Sequence, residues 1–451
     1  MPDLKFQPPR RLAPSARAAF AGALVLACAW AAPVAQAQTL TGALTQAYRV
    51  NPNLRAQRAR LRAAQAQLSE ARAGWRPSVH LSGSAGSEHI DTALAPEIGG
   101  SELKRNLAPR SVSLAVEQSL YDGGRTTASV NRAGNTIRAE QARLAQTEQT
   151  VFVSVAKAYL DVLLARQVLD LERHNVETLR QQLRATKLRE QAGELTPTDV
   201  YQAQARLAQA RARQRRAQAR VAEARASYVR AVGNEPQELG APGPLGDLPG
   251  SLTQALQQAR DANPQLSQAR YAVAAAHDNT RSVRAASRPS LSLTGELRHD
   301  NDDTIFTKRT DTQRIMLNAE MPLYSGGADD ARERRAEDTA AQRTAELDAR
   351  RQQVTETVTA AWEAWQAAKA ELDALREQRR AAESALKGVR AEQRAGSRTV
   401  LDVLNAQQEF LNAQVSLASA RHDQRLAAYR LLAATGRLTA GTLNLAVPLE
   451  K

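Results

Sequence analysis

The sequence predicts a mainly α fold with a small β part, laid out twice along one chain as long antiparallel coiled helices and two β-hairpins. The first observation is a repeat. "LYDGGRTTA" at 120–128 returns as "LYSGGADDA" at 323–331, an offset of 203. "ALTQAYRVNPNL" at 43–54 aligns with "ALQQARDANPQL" at 255–266, and Arg76-Pro77-Ser78 with Arg288-Pro289-Ser290, both at an offset of 212. The second is composition: 451 residues with 4% aromatics and 43% hydrophobics suit long helices packed through small side chains better than a compact globule. The third is the absence of proline from Arg125 to Gln191 and from Ala328 to Arg394, with Gly134 and Gly388 as the single interior glycines.

Residues 1–37 read as a signal peptide. Arg10, Arg11 and Arg17 precede the apolar run "AAFAGALVLACAWAAPV", which ends at the small-x-small site Ala35-Gln36-Ala37. A mature chain begins near Gln38 and loses four basic residues and Asp3, so the formal charge falls from +14 to 14 − 3 = +11. The single cysteine, Cys28, leaves with the signal; the rival reading makes "VLAC" a lipobox acylated at Cys28, a pattern that Leu26, two residues before the cysteine, fits poorly. No later segment offers the roughly 18 apolar residues of a membrane-spanning helix, so any crossing is made by strands.

The first repeat covers 38–240 and the second 241–451. Each opens with a helix of about 23 residues after Asn51-Pro52 or Asn263-Pro264. Two hairpins follow, about 78–121 and about 290–323. "SVHLSGSAG" and "SVSLAVEQSLY" alternate apolar with small or polar residues, as do "SLSLTGELR" and "TQRIMLNAEMPLY". Each run is about ten residues, the length of a tilted membrane strand. Polar loops are expected from roughly 89 to 110 and 301 to 310. Four strands cannot close a barrel, and open edges in lipid leave backbone groups unpaired, so hairpins in a bilayer require several copies of the chain. The alternative is a soluble hairpin decorating a helical protein.

Tyr121 with Gly123 and Gly124, and Tyr324 with Gly326 and Gly327, mark where a strand turns into a helix: the glycines allow the tight turn and tyrosine suits the lipid-water boundary. The long helices run about 125–191 and 328–394, rods of about 100 Å. Val155, Val162, Leu169, Val176 and Leu183 recur every seven residues; the second repeat answers with Val358, Trp365, Leu372, Arg379 and Leu386. A seven-residue period implies left-handed coiling on a neighbour. The rods end at Gly193 and Gly396. Return helices, about 197–232 and 400–435, open with Thr196-Pro197-Thr198-Asp199 and Thr399-Val400-Leu401-Asp402, variants of the capping box.

Taken together, Asn-Pro, Arg-Pro-Ser, Tyr-x-Gly-Gly and Gly-x-x-Thr-x-x-Asp-Val closely resemble the TolC family of outer-membrane ducts across the mature chain; "YDGGR", "AYLDVL" and "TPTDVYQAQARLAQA" are most similar to the branch serving type I secretion. The resemblance implies a homotrimer in the outer membrane of a Gram-negative bacterium, with a 12-stranded β-barrel and a periplasmic α-barrel. It implies as partners outer-membrane lipid, a periplasmic adaptor, and an inner-membrane ABC or proton-driven transporter. It also implies residue roles. Asp199 and Arg398 match an ion pair closing the periplasmic tip, and Gln393 stands where the family's type member has a gate tyrosine. Asp402 matches one lumenal ring of acids, with Asn405 in place of a second. Gly193, Glu194, Gly396 and Ser397 form the tip where adaptor hairpins dock, reading Ala-Gly where the type member has Val-Gly. Drug efflux with a proton-driven pump is the neighbouring alternative; a periplasmic coiled-coil scaffold without a pore is the more distant one.

Other chemistry is not expected. The histidines at 80, 89, 174, 277, 299 and 422 lack ligand spacing, so no metal is assigned. No cofactor motif, nucleophile elbow or phosphate loop occurs, and the chain is not read as an enzyme. The basic run "RLAQARARQRRAQAR" at 206–220 has no aromatics to stack on bases and reads as the solvated face of a helix rather than a nucleic-acid site.

Overall fold

The computed structural model describes residues 38–93, 102–243, 245–246 and 248–445. The expected signal peptide, its cleavage site and Cys28 lie outside the described residues, as does part of the first polar loop.

The two repeats are near copies in element length. Helices α1 (Leu40–Val50) and α5 (Leu252–Ala262) have 11 residues each, α2 (Pro52–Ala73) and α6 (Pro264–Ala285) 22 each, and α3 (Arg125–Gln191) and α7 (Ala328–Arg394) 67 each. The return helices α4 (Pro197–Val232) and α8 (Val400–Ala434) have 36 and 35. Asn51 ends α1 and caps α2, its side chain accepting from the Asn53 N–H at 2.9 Å; Asn263 does the same between α5 and α6. Asparagine supplies the cap and proline occupies the first turn, where its missing N–H costs nothing. The short helices α1 and α5 add to the expected elements.

The seven-residue seam lies where coiling requires it. Val155 and Val162 are fully buried, Leu169 and Val176 nearly so, and in the second repeat Val358, Leu372 and Leu386 are buried. Helix α3 packs along α4 over its distal half and between α2 and α6 near the strands; α7 packs against α6 and then α8. The main core gathers at mid-height, where Phe152, Val155, Tyr159, Tyr228, Val232 and Leu432 meet residues of α1. There the Tyr159 hydroxyl donates to the carbonyls of Gln38 (2.7 Å) and Gly240 (2.6 Å), tying both ends of the first repeat to the rod.

Among the described residues six strands are present where four were expected. Strands β1 (Ser78–Ala85), β4 (Arg110–Tyr121), β5 (Ser290–Asn301) and β6 (Arg309–Glu320) form one antiparallel sheet in the order β1-β4-β5-β6. Strands β2 (Glu88–Ala93) and β3 (Glu102–Leu107) pair separately, so much of the segment expected as a polar loop from 89 to 110 is a hairpin. It pairs through the backbone and through polar cross-strand contacts, Lys104 to Asp91 at 3.2 Å and His89 to Asn106 at 2.5 Å, so it carries no apolar alternation.

Candidate functional site

The four-stranded sheet has two chemically distinct faces. Register places Val79 opposite Val116 and Leu81 opposite Leu114; Leu114 in turn faces Leu297, and Leu293 faces Leu317. These residues share one face and are exposed, Leu81 at 75% and Ile315 at 82%. The other face carries Ser82 bonded to Ser113 (2.7 Å), Ser84 bonded to Ser111 (2.8 Å), and the row His80, Ala115, Glu296, Arg314. Apolar on one side and polar on the other, the sheet suits a boundary between hydrocarbon and water. Among the described residues its outer strands, β1 and β6, each have one edge unpaired within the protomer.

The strand-to-helix turns come next. Tyr121 (51%) closes β4, whereas β6 stops at Glu320, short of the expected end near 323, and Tyr324 (89%) follows it in the connection to α7; both tyrosines are exposed. All four glycines, Gly123, Gly124, Gly326 and Gly327, have left-handed φ. At Gly123 a Cβ would also lie 2.7 Å from the Ala285 carbonyl oxygen, and the Gly123 carbonyl accepts from Arg288 at 3.0 Å. The residue between tyrosine and glycines was missed as functional: Asp122 accepts from the Gly124 N–H (3.1 Å) and the Thr126 N–H (2.7 Å), closing the start of α3. Ser325 does the same more weakly for α7, accepting from Asp329 N–H at 3.3 Å. An acid or serine three residues ahead of a long proline-free segment was the available signal.

At the far end, the coils turn at Gly193 and Gly396, both with left-handed φ. Glu194 pairs with Arg189 at 2.9 Å; Ser397 donates its N–H and hydroxyl to the Glu392 carbonyl at 3.0 Å. Asp199 accepts from the Thr196 N–H (3.0 Å) and hydroxyl (2.8 Å), and Asp402 accepts from the Thr399 N–H (2.9 Å) and hydroxyl (2.8 Å), so both capping boxes form. Those Thr399 groups hold the Asp402 carboxyl below its ordinary value. Arg398 donates to Glu392 at 2.8 Å, within its own hairpin, so one protomer does not bring Asp199 and Arg398 together. Half-buried Gln393 offers its carbonyl to Gly396 N–H at 3.1 Å.

Asn405 reaches across to the other hairpin: its side-chain oxygen accepts from Arg206 Nη2 of α4 at 2.8 Å. Beside this bond, Val176 and Leu179 of α3, Leu207 and Ala210 of α4, and Val400 and Leu404 of α8 form a buried apolar cluster. Halfway along the coils, His422 of α8 bonds Asp161 of α3 and its neighbour Asp423, both at 2.8 Å. Burial alone would lower the His422 imidazole, but the two carboxylates outweigh it and raise its pKa above the ordinary value. Burial pushes the Asp161 carboxyl up; the hydrogen bonds from His422 and Lys157 prevail and hold it down.

Among the described residues no cluster of histidine, cysteine, aspartate and glutamate has the spacing of a metal site, and no helix is long and apolar enough to cross a membrane.

A family model described as outer membrane efflux protein matches residues 43–234 and 255–437. Outer membrane efflux protein BepC of Brucella suis is 34% identical over 92% of this chain and 88% of its own length. Outer membrane protein TolC of Vibrio cholerae is 27% identical over 77% of this chain and 83% of its own. Proteases secretion protein PrtF of Dickeya chrysanthemi is 28% identical over 91% and 89%. Among solved structures, a membrane protein from Pseudomonas aeruginosa superposes with a TM-score of 0.78 at 22% identity, over 88% of this chain and 90% of that one.

Proposed function

The chain belongs to the outer membrane efflux protein family, and from that premise we propose that three copies close a single duct through which cargo leaves the cell without chemistry by the duct itself. Export across the outer membrane, by efflux or secretion, is the function that its relatives share. The observation that carries the finer reading is the sheet: four strands, apolar on one face and polar on the other, with an unpaired edge at each side. A bilayer does not tolerate those edges, and twelve strands from three copies remove them. The long coils then extend the hole on the periplasmic side toward an adaptor and an inner-membrane transporter, which supplies the energy.

Type I protein secretion is the proposed setting, supported by the likeness to a relative named for protease secretion across 91% of the chain. Drug efflux is the second reading, favoured by the 34% identity to a relative named as an efflux protein. At the tip we assign closing contacts to Asp199, Arg398 and Gln393, and a ring of three carboxylates to Asp402. With that single ring as its only charged constriction, cation block of the entrance is weak.

Single-channel recording in planar bilayers, with subunit stoichiometry measured in detergent, tests the duct. Trimers that insert and conduct are expected; inserted trimers with no conductance at any pH sink it. A deletion strain separates the two settings: loss of secreted protein from the medium supports the first, and unchanged secretion with drug sensitivity supports the second.

A further inference from the structure

Near the tip, α8 of the second helical hairpin (α7 and α8) meets α3 and α4 of the first. Within its own hairpin each capping aspartate is consumed, Asp199 by Thr196 and Asp402 by Thr399, and Arg398 is held by Glu392. What crosses from one hairpin to the other there is the Arg206 to Asn405 hydrogen bond, 2.8 Å from guanidinium nitrogen to amide oxygen, resting on the buried cluster of Val176, Leu179, Leu207, Ala210, Val400 and Leu404. Arg206 and Asn405 lie on the return helices of different repeats, 199 positions apart in sequence.

We propose that Arg206 and Asn405 form a latch that keeps the tip of α8 against α4, making Arg206 a positioning residue for the closed duct and Asn405 part of that latch rather than of the pore lining. The proposal rests on the duct reading above. Its physical basis is the contrast in the two components. The apolar cluster is non-directional and tolerates sliding of α8 along α3 and α4, whereas a hydrogen bond between a fixed guanidinium fork and a short amide fixes register and angle. Amide and guanidinium are both partly open to water, so the bond is weak enough to be broken when a partner engages the tip and strong enough to bias the resting state. The chemistry also explains the amide. A carboxylate at 405 would pair with Arg206 more tightly and make opening harder; an amide accepts the same bond without the added charge attraction.

Five variants in full-length trimers, recorded in planar bilayers, test this. Arg206→Ala and Asn405→Ala are each expected to raise resting open probability roughly fivefold, the worth of one partly exposed hydrogen bond. The double variant is expected to exceed neither single one, because both remove the same bond. Asn405→Asp is expected to lower open probability, with the effect fading at high salt, while unitary conductance and divalent-cation block stay as in the wild type. If Asn405 lined the pore instead, Asn405→Asp would change conductance and divalent block and leave open probability alone, which overturns the latch. Wild-type open probability in Arg206→Ala also overturns it, and Arg206→Lys, which keeps a donor, should lie between the two. A wild type that never conducts removes the duct itself, and the latch with it; conducting channels indifferent to Arg206 remove the latch only.

Discussion

Gly123 shows how much one residue can be asked to do. Its φ of 67° is left-handed, and a Cβ there would press on the Ala285 carbonyl and on Arg288, so Gly123→Ala has both backbone strain and a clash to absorb. Gly326, its counterpart, is also left-handed (66°) but faces open space. Gly123→Ala is therefore expected to cost about 1–3 kcal/mol and Gly326→Ala about 1 kcal/mol, measured as a difference in trimer melting. The pairing of glycines was legible in the sequence; the inequality between them was not, because it arises from α6 arriving beside one and not the other. His422 sets a second residue-scale expectation. Its raised pKa means that its contribution to stability is complete below the ordinary value of 6.5 and is lost as pH rises through the raised one. The lowered carboxyl of Asp161 acts oppositely, contributing above 3.8 and failing as pH falls through its depressed value. Lys157 on α3 and Asp423 beside His422 face the same pair. Melting temperature should thus fall as pH rises above 6.5 through the raised value in the wild type and less steeply in His422→Gln; parallel profiles would refute the assignment.

At the scale of the element, the two 67-residue helices announce themselves through missing prolines and a seven-residue period, signals that add up over many turns. The period has one fault, Arg379, which stands where the first repeat has Val176 and satisfies itself with Glu383 at 3.0 Å. Arg379→Leu should extend the apolar seam between Leu372 and Leu386 and stabilise the α7/α8 coil by about 1 kcal/mol, read as a rise in melting temperature, since Lys387 still pairs with Glu383 at 3.0 Å. Short elements were less legible. Strands β2 and β3 hold together by backbone pairing and charges such as Asp91 with Lys104, which carry no periodic pattern. The capping aspartates and the tip glycines could be read from spacing alone, because a cap is a local event. Arg206 could not, since its partner is 199 positions away and comes near only after both hairpins have folded.

For the whole molecule, the decisive property is a sheet with opposite faces. Leu114→Arg places a charge on the apolar face and is expected to cost about 2–4 kcal/mol per protomer and to reduce heat-stable trimer in membranes. Ser113→Arg, one residue away on the polar face, should assemble normally; equal loss in both variants would mean that the apolar face does not meet lipid. The unequal edges of that sheet carry a last consequence. One edge is β1 of the first repeat and the other β6 of the second, so copies join head to tail, each lending one side and borrowing the other. A copy with a blunted β6 can still be accepted by a neighbour yet offers nothing onward, and any ring that admits it stays broken. Damage at this seam is inherited by every partner in the ring, and a single faulty allele spoils more channels than its share of the protein made.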